Sequence, residues 1–251
     1  MFDQPLIDII IPNFNKAKYL DQCLSSIISQ TYKNWIIYLI DDNSTDNSKE
    51  LLNNFKKFNN IKIFTLDKNK GPSHCRNLGI NKSNSEYVAF MDSDDFWPEH
   101  KLERQMKSIK KFNHDFSYTD YRFFFKDNLK NTKKSFLPNS YDYKSFLNHS
   151  SMSTSSIIVK RTLLNQINFK DVNHEDYLFK CDLLRKGEIA FKAENTYVYY
   201  RINKLNRSSN KLRNIINLWK INKENNNLDF FSNMKSIIYI SLNSLKKYGW
   251  K

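Results

Sequence analysis

Residues 85–105 read SEYVAFMDSDDFWPEHKLERQ, and this stretch decides the fold. Its first part, YVAFMD (87–92), is a continuous apolar run that ends on an acid, as expected of a buried strand. The Trp-Pro-Glu step at 97–99 then begins a helix that we expect to continue to about residue 112. A buried strand, an acidic turn and a helix predict one unit of an α/β domain.

The same alternation extends in both directions from this unit. Upstream we expect strands at 7–11 (IDIII), 35–40 (WIIYLI) and 61–66 (IKIFTL), and helices over 16–30, from Ser44 to about 58, and over 72–82. Downstream we expect a strand at 116–125, a loop at 126–145, a strand then a helix within 154–167, a helix at 175–187, a strand at 196–202 and helices from 210 to 251. The pattern predicts an open, mostly parallel sheet with helices on both sides.

Polar residues follow three of the upstream strands at their carboxyl ends. They are Asn13 and Asn15, Asp41 and Asp42, and Asp92, Asp94 and Asp95. In open α/β sheets the ligand binds beyond the carboxyl ends of the strands. We therefore expect these side chains to converge on a ligand.

A metal ion is the expected partner of the acids. The four glycines, at 71, 79, 187 and 249, form neither a GxGxxG fingerprint nor a P-loop, so a bound diphosphate would lack a glycine cradle. Asp92 and Asp94 suit Mg²⁺ or Mn²⁺, a hard cation that binds one or two carboxylates and takes its other ligands from phosphate and water. A DxD pattern by itself is more often a solvated acidic turn.

Composition restricts the partners and the compartment. The 251 residues carry a formal net charge of +14, which favours anionic partners, although AT-rich coding bias toward Lys and Asn explains it equally well. The charge is diffuse and no nucleic-acid module appears, so no nucleic-acid partner is expected. Three scattered cysteines, the lack of a signal peptide and the lack of an apolar run of about 20 residues predict a cytoplasmic protein.

Five segments together carry a resemblance to a known family. In order they are IIIPNFN, SIISQTYKNW, LIDDNSTDNS, GPSHCRNLGI, and SEYVAFMDSDD followed by WPEHKLERQ. With this spacing the chain resembles family 2 glycosyltransferases, closely over 5–112 and more weakly to about 202. The resemblance implies an inverting reaction and a GT-A fold, which is a Rossmann-like three-layer α/β sandwich with a mostly parallel central sheet.

The fold implied by the resemblance divides the chain into three parts. Residues 1–112 form the nucleotide-sugar-binding half, 113–205 the acceptor-binding and catalytic half of the same domain, and 206–251 a C-terminal helical extension.

The resemblance also implies roles for single residues. Asp42 matches the aspartate that hydrogen-bonds the base, and a carboxylate that accepts from uracil N3–H favours uracil over cytosine. Arg76 is expected to face the diphosphate, Asp94 to bind the metal directly, and Asp92 to contact ribose or metal. The residues expected to bind the nucleotide sugar are Pro12, Phe14, Asn15, Asp42, Arg76, Asp92 and Ser93.

The catalytic base is expected in the second half of the chain. HEDYLFKCDLLRKG (174–187) resembles the family's ED helix, and Asp176 matches its base position. Inversion is a single in-line displacement, which needs a carboxylate to take the proton of the acceptor hydroxyl. Glu175 and Asp95 are placed on the acceptor side. The alternative for the Glu-Asp pair is that it stabilises the dipole at a helix N-terminus.

One segment departs from the family pattern. YYRINKLNRSS (199–209) resembles the closing YRxH segment, but Asn203 stands where many members have a histidine. An amide is a weaker metal ligand, which puts a third protein ligand in doubt. The five histidines show no zinc spacing and are expected on the surface or in loops.

The resemblance therefore implies a transferase that moves a hexose or N-acetylhexosamine from a UDP-sugar to an acceptor hydroxyl. The expected acceptor is a glycan or lipid-linked glycan of a bacterial O-antigen, capsule or lipooligosaccharide. The C-terminal helices either pack on the catalytic domain, which we expect, or contact the inner face of the cell membrane. The alternatives are a nucleotidyltransferase, which usually needs a glycine-rich loop, and a catalytically inactive protein that binds a nucleotide sugar or an anionic surface.

Overall fold

A computed structural model describes residues 4–125, 127–202 and 211–248 of the chain. Asn203 and the segment that follows it to residue 210 lie outside the described residues. The strands are β1 (Ile7–Asn13), β2 (Trp35–Asp41), β3 (Ile61–Thr65), β4 (Tyr87–Phe90), β5 (Phe116–Phe125), β6 (Lys133–Lys134), β7 (Ser140–Tyr141), β8 (Ile158–Lys160) and β9 (Ala190–Ile202). The helices are α1 (Ala17–Ile28), α2 (Ser48–Asn53), α3 (Pro72–Lys82), α4 (Lys101–Phe112), α5 (Tyr143–His149), α6 (Glu175–Arg185), α7 (Lys211–Glu224) and α8 (Phe230–Tyr248).

The described strands form one mixed sheet in the order β3-β2-β1-β4-β8-β5-β9-β7, with β6 paired to β5. Strands β1 to β4 are parallel to one another, and β1, β2 and β4 are buried along most of their length, which explains their largely apolar sequences. The chain moves from β1 through β2 to β3 in one direction and then returns past β1 to β4. Because crossovers are right-handed, α1 and α2 cover one face and α3 covers the other. The reversal creates a switch point between β1 and β4, where α/β proteins bind their ligands.

Helix α3 lies very close to the strands it covers. A Cβ atom at Gly79 would stand 2.5 Å from Cγ2 of Ile10 and 3.1 Å from Cδ1 of Ile40, so only glycine fits there. The helix begins after Gly71, whose φ of 86° favours glycine, and has Pro72 in its first turn. This packing fixes the position of α3 on the sheet, and therefore the position of Arg76 beside the end of β4.

The second half of the chain continues the same sheet through β8, β5 and β9. Strand β8 runs antiparallel to both β4 and β5, while β5 and β9 are parallel. The Phe96 backbone forms a β-bridge with Tyr199, and the two rings stack with centroids 4.4 Å apart. The end of β9 is thereby held against the acidic turn that follows β4.

Three predicted elements differ from the structure. Helix α2 starts at Ser48 instead of Ser44, because the Ser44 hydroxyl bonds to Asp41 and does not cap a helix. The expected loop at 126–145 contains two short strands and the start of α5. The expected strand and helix within 154–167 are a 3₁₀ turn, the three-residue strand β8 and a second 3₁₀ turn.

The C-terminal helices dock on α5 and α6 through buried amides. Asn222 is fully buried; it accepts a hydrogen bond from the Tyr177 hydroxyl at 2.8 Å and donates to Asn233 and Ser236 at 3.1 and 3.2 Å. The Ser236 hydroxyl in turn donates to the Leu147 carbonyl of α5. The described part of the extension therefore packs against α5 and α6.

Candidate active site

The ends of β1 and β2 are tied together by Asp41. This carboxylate is fully buried and accepts hydrogen bonds from the Asn13 amide at 2.7 Å and from the Ser44 hydroxyl at 2.6 Å. Burying an unpartnered carboxylate would be costly, and these contacts stabilise it. Asp41 thus shapes the loops that follow both strands.

The loop after β1 is attached to the loop after β2 by Asn15. Its φ is 52°, a conformation that asparagine tolerates, and its side-chain oxygen accepts from the Thr45 backbone N–H at 2.8 Å. Its own N–H donates to the Ser44 hydroxyl at 3.0 Å. Phe14 is left 43% exposed on this rim beyond half-buried Pro12, so its ring is open to a ligand.

Asp42 lies at the end of β2 and faces the start of α3. It is 3% exposed, and its two oxygens accept the backbone N–H groups of Lys70 at 2.7 Å and Gly71 at 2.8 Å. Each carboxylate oxygen has a further lone pair, so these bonds leave acceptor capacity for a base.

Arg76 joins the end of β4 to the start of α6. Its Nη2 donates to Asp92 Oδ1 at 2.7 Å and its Nη1 to Glu175 Oε1 at 3.1 Å, while the guanidinium lies 5.1 Å from the Phe169 ring centre. Burial lowers the pKa of Arg76, but the Asp92 and Glu175 carboxylates raise it by more, so the group stays charged. The side chain is 5% exposed, and its buried Nε has no partner among the described residues.

Asp94 pairs with a lysine from the loop after β1. The Lys16 ammonium lies 2.6 Å from Asp94 Oδ2, and 32% of the lysine side chain is exposed. No group of three or more His, Cys, Asp or Glu side chains within the described ranges is arranged to hold an ion. Asp92 and Asp94 nevertheless offer the hard oxygens that suit Mg²⁺ or Mn²⁺ completed by a diphosphate, provided that Lys16 leaves Asp94.

Asp95 does not face open space, which differs from the acceptor-side position predicted for it. It is 1% exposed; its oxygens accept from the Ser155 hydroxyl at 2.6 Å and from the Arg201 backbone N–H at 3.0 Å. Burial raises the pKa of the Asp95 carboxyl, and the Asp94 and Asp92 charges raise it further. Its neighbour Ser93 is 4% exposed. Asp95 therefore connects β9 and the 3₁₀ turn at 154–156 to the acidic loop.

Arg201 is a residue whose importance the sequence did not reveal. Its Nε donates to the Asp94 carbonyl at 2.9 Å and its Nη2 to Gln22 of α1 at 2.6 Å, and it also pairs with Asp127. The ring of Tyr19 lies 4.3 Å from its guanidinium carbon. One side chain from the last strand thus braces the acidic loop and the first helix.

Asp176 emerges in the first turn of α6 beside a buried lysine. Lys180 is 1% exposed, and its ammonium lies 2.9 Å from Asp176 Oδ2 and 2.7 Å from the Met152 carbonyl. The Asp176 side chain keeps 40% of its surface exposed. Burial raises the pKa of Asp176, but the Lys180 ammonium outweighs it, so this pKa lies well below its usual range. The result is an accessible carboxylate that stays ionised.

A cavity of about 260 Å³ opens beside this carboxylate and brings Asp176 and Asp92 to one space. Tyr121, Tyr200 and His149 also line it. The sequence predicted that His149 lies on the surface or in a loop. In the structure it lines the cavity, and its Nδ1 lies 2.6 Å from the Tyr141 hydroxyl. The complete lining is Asp92, Tyr121, His149, Ser150, Ser151, Met152, Ser153, Thr154, Asp176, Tyr200, Ile240 and Ser244.

Comparisons with known proteins point to one family. The sequence model described as glycosyl transferase family 2 matches residues 8–167. A Haemophilus influenzae protein named as an uncharacterized glycosyltransferase is 32% identical over 98% of this chain and 99% of its own length. The Escherichia coli protein WfgD, named UDP-Glc:alpha-D-GlcNAc-diphosphoundecaprenol beta-1,3-glucosyltransferase, is 30% identical over 99% of this chain and 97% of its own.

Solved structures share the fold at low sequence identity. TarS of S. aureus in complex with UDP-GlcNAc superposes with a TM-score of 0.74 at 19% identity, covering 96% of this chain and 73% of TarS. The mannosyltransferase PcManGT of Pyrobaculum calidifontis, in complex with GDP-Man and Mn²⁺, gives a TM-score of 0.71 at 15% identity, covering 100% of this chain and 77% of PcManGT. The predicted GT-A architecture is confirmed.

Proposed function

Because the chain belongs to glycosyl transferase family 2, we propose that this glycosyltransferase moves a hexose or N-acetylhexosamine from a UDP-sugar to an acceptor hydroxyl with inversion. The observation that carries the proposal is the shared cavity of Asp92 and Asp176. Asp92 follows β4 at the switch point, where α/β proteins bind nucleotide ligands. Asp176 is accessible and held in its ionised form, as a general base must be.

The reaction follows from this arrangement. The acceptor sugar enters the cavity with its hydroxyl toward Asp176, and the donor lies on the β1–β4 side with its sugar between Asp92 and that hydroxyl. Asp176 takes the hydroxyl proton as the oxygen attacks the anomeric carbon from the face opposite the departing UDP. A single displacement converts an α-linked donor into a β-glycoside.

The departing diphosphate develops negative charge that has to be stabilised. Asp92 and Asp94 would hold Mn²⁺ or Mg²⁺, and this ion would supply neutralisation of the leaving phosphate oxygens. The PcManGT complex, which contains Mn²⁺, supports this part of the proposal. Two further cations face the same region: Lys16 lies 2.6 Å from Asp94, and Arg76 lies 2.7 Å from Asp92.

The donor base is read on the rim formed by the β1 and β2 loops. Phe14 offers an exposed ring on which uracil stacks, and Asp42 offers the acceptor for its N3–H. TarS, solved with UDP-GlcNAc, supports a UDP-sugar as the donor class.

We propose that the acceptor is a lipid-linked glycan used for a bacterial surface polysaccharide. The name of WfgD, a relative of nearly the same length, describes transfer onto GlcNAc attached to diphosphoundecaprenol. Such an acceptor is held at a membrane, so the reaction would take place at the inner face of the cell membrane.

The C-terminal extension carries a surface that fits such a membrane. Residues 206–251 contain nine Lys and Arg against two Asp and Glu. No helix within the described residues is long and apolar enough to cross a bilayer. Apolar side chains and positive charge on one surface are typical of helices that lie on anionic lipid. The exposed large apolar residues of α7 and α8 are Leu212, Ile215, Ile216, Phe230, Phe231, Met234, Ile238, Tyr239 and Leu242.

Vesicle sedimentation tests the membrane contact. We expect the protein to bind vesicles that contain phosphatidylglycerol and to bind neutral phosphatidylcholine vesicles much less. Changing both Phe230 and Phe231, which are 62% and 74% exposed, to serine should weaken the binding. Equal binding to both kinds of vesicle would contradict an electrostatic contact.

The donor site is tested by thermal unfolding with UDP, GDP, nucleoside triphosphates and a panel of UDP-sugars, with and without Mn²⁺. A ligand present at 100 times its dissociation constant adds about 2.7 kcal/mol to the free energy of unfolding. We expect stabilisation by UDP and one UDP-sugar that requires Mn²⁺, that is lost in Asp94→Ala and that persists in the control Asp21→Ala, a change on the exposed side of α1. Stabilisation by nucleoside triphosphates alone would favour a nucleotidyltransferase.

Product analysis separates an active enzyme from a binding protein. With the stabilising UDP-sugar, wild type should form a β-glycoside from an α-linked donor, as the anomeric proton coupling in the NMR spectrum reports. Asp176→Asn should bind UDP normally and form no product. An α-glycoside would contradict single displacement. Donor binding without any transfer would favour a catalytically inactive protein that binds a nucleotide sugar.

A further inference from the structure

The cavity beside Asp176 has a wall that comes from the C-terminal extension. Ile240 and Ser244 of α8 line it together with residues of the catalytic half. The two positions are four residues apart, so they lie on the same side of the helix. We infer that α8 forms part of the acceptor subsite and that Ile240 and Ser244 select the acceptor sugar; this rests on the proposed glycosyl transfer.

Helix α8 is held in this position by contacts on both sides of Ile240. Ser236 donates to the Leu147 carbonyl at 2.5 Å, and the Asn243 amide donates to the Asn148 carbonyl at 3.4 Å. The accepting carbonyls belong to the end of α5, which is followed directly by the cavity residues at 149–154. The helix and the strip at 149–154 are therefore fixed relative to each other.

Ile240 and Ser244 are not simply packing residues of α8. The residues that anchor the helix, Asn233 and Ser236, are each 1% exposed. Ile240 is only half-buried and Ser244 is exposed, and both face the cavity. A side chain that lines an open cavity without filling it is available to contact a ligand.

The lining has the chemistry of a subsite for one sugar ring. Ser150, Ser151, Ser153 and Thr154 supply hydroxyl groups that donate to or accept from sugar hydroxyls. Tyr121, Tyr200 and Ile240 supply apolar surface for the face of a pyranose. The volume of about 260 Å³ lies below the roughly 300–1,000 Å³ of drug-sized pockets. The subsite therefore takes the terminal sugar of a glycan, and the rest of the acceptor extends outside.

The position of α8 explains how this sugar would be selected. Ile240 limits the space above the ring, and a bulkier residue there would exclude an N-acetyl group or a branch. Ser244, one turn further along, can hydrogen-bond a substituent that reaches the cavity mouth. A change of acceptor between related enzymes would then require changes in the extension as well as in the catalytic half.

The test compares Ile240→Trp and Ser244→Trp with Ser241→Trp. Ser241 lies on the same helix and is half-buried, and it is not among the cavity-lining residues, so it is the matched control. The acceptor probe is α-GlcNAc diphosphate on a short phenoxyalkyl chain, assayed with the UDP-sugar that stabilises wild type. We expect at least a tenfold rise in acceptor KM for the two cavity variants, an unchanged UDP dissociation constant and wild-type behaviour of Ser241→Trp.

Acceptor KM values equal to that of Ser241→Trp would overturn the inference, because tryptophan in the cavity would then exclude nothing. A parallel change in UDP affinity would also overturn it, since it would place α8 at the donor. If wild type transfers no sugar to the probe, the proposed function fails for this acceptor, and saturation-transfer NMR decides the subsite directly. Probe contacts seen in wild type and lost in Ile240→Trp support it, and no contacts in wild type refute it.

Discussion

Changing Lys180 to methionine removes the ammonium that lies 2.9 Å from Asp176 and keeps an unbranched side chain of similar length. Lysine at this position is 1% exposed, so the uncharged replacement stays within the core. Asp176 itself keeps 40% of its side-chain surface exposed and remains hydrated. The change therefore alters the charge next to the proposed base more than it alters the packing.

The expected effect is a shift of the acid limb of activity to higher pH. In wild type the Asp176 pKa lies below the ordinary aspartate pKa of about 3.9. The base therefore stays ionised even at a pH below that value. An opposite charge at short range lowers a carboxyl pKa by roughly 1–3. Without the Lys180 ammonium, burial, which is the largest single influence on the Asp176 pKa, is no longer offset by that charge, so we expect the pKa to rise above its ordinary value. Transfer requires the ionised form, so the variant loses activity as pH falls through the raised pKa, by about tenfold for each pH unit below it.

The assay is kcat/KM for the acceptor between pH 4.5 and 9 at saturating donor. We expect wild type to show no loss from Asp176 protonation in this range, whereas Lys180→Met loses activity on the acid side and recovers most of it at pH 8. Lys186→Met, an exposed change at the end of the same helix, should follow wild type. Superimposable acid limbs for wild type and Lys180→Met would refute the argument, either because Lys180 does not set this pKa or because Asp176 is not the base.

Three further changes test other parts of the site. Lys16→Gln removes the ammonium that competes with a metal ion for Asp94. The Mn²⁺ concentration that half-saturates the UDP-dependent thermal shift should therefore fall several-fold. A higher Mn²⁺ requirement would mean that Lys16 helps to bind the diphosphate. Arg76→Lys should lower stability by about 1.5–3 kcal/mol in urea unfolding, since one ammonium cannot span two carboxylates; unchanged stability would count against the bridge. Asn222→Ala should cost about 1–3 kcal/mol in the same measurement, because it removes a buried amide that accepts from the Tyr177 hydroxyl and donates to Asn233 and Ser236. No effect would show that the amide network does not hold the extension.

Local signals in the sequence predicted local structure well. Helix α3 runs over the predicted residues 72–82, because Gly71 and Pro72 mark its start without help from distant residues. The helix expected from Ser44 failed for the opposite reason. The Ser44 hydroxyl has two competing partners, a helix N-terminus and Asp41, and only the folded sheet makes the second available.

Charged residues that enter the core could not be predicted from periodicity. A lysine in a helix is usually read as solvent-exposed, yet Lys180 bonds to the Met152 carbonyl, 28 positions earlier in the chain. The asparagines of the extension likewise give no sign of burial in the sequence, although Asn222, Asn226 and Asn233 form its buried contacts. Nothing in the spacing of these residues indicates their partners, which come from other elements.

Two arginines connect the acidic turn after β4 to distant parts of the fold. Arg76 connects Asp92 at the end of β4 to Glu175 at the start of α6, directly beside the proposed base. Arg201 connects the end of β9 to the Asp94 carbonyl and to α1. Each guanidinium therefore links the part of the chain proposed to hold the donor to the part proposed to hold the acceptor. Loss of either would disturb the spacing between the anomeric carbon and the attacking hydroxyl, on which in-line displacement depends most strongly.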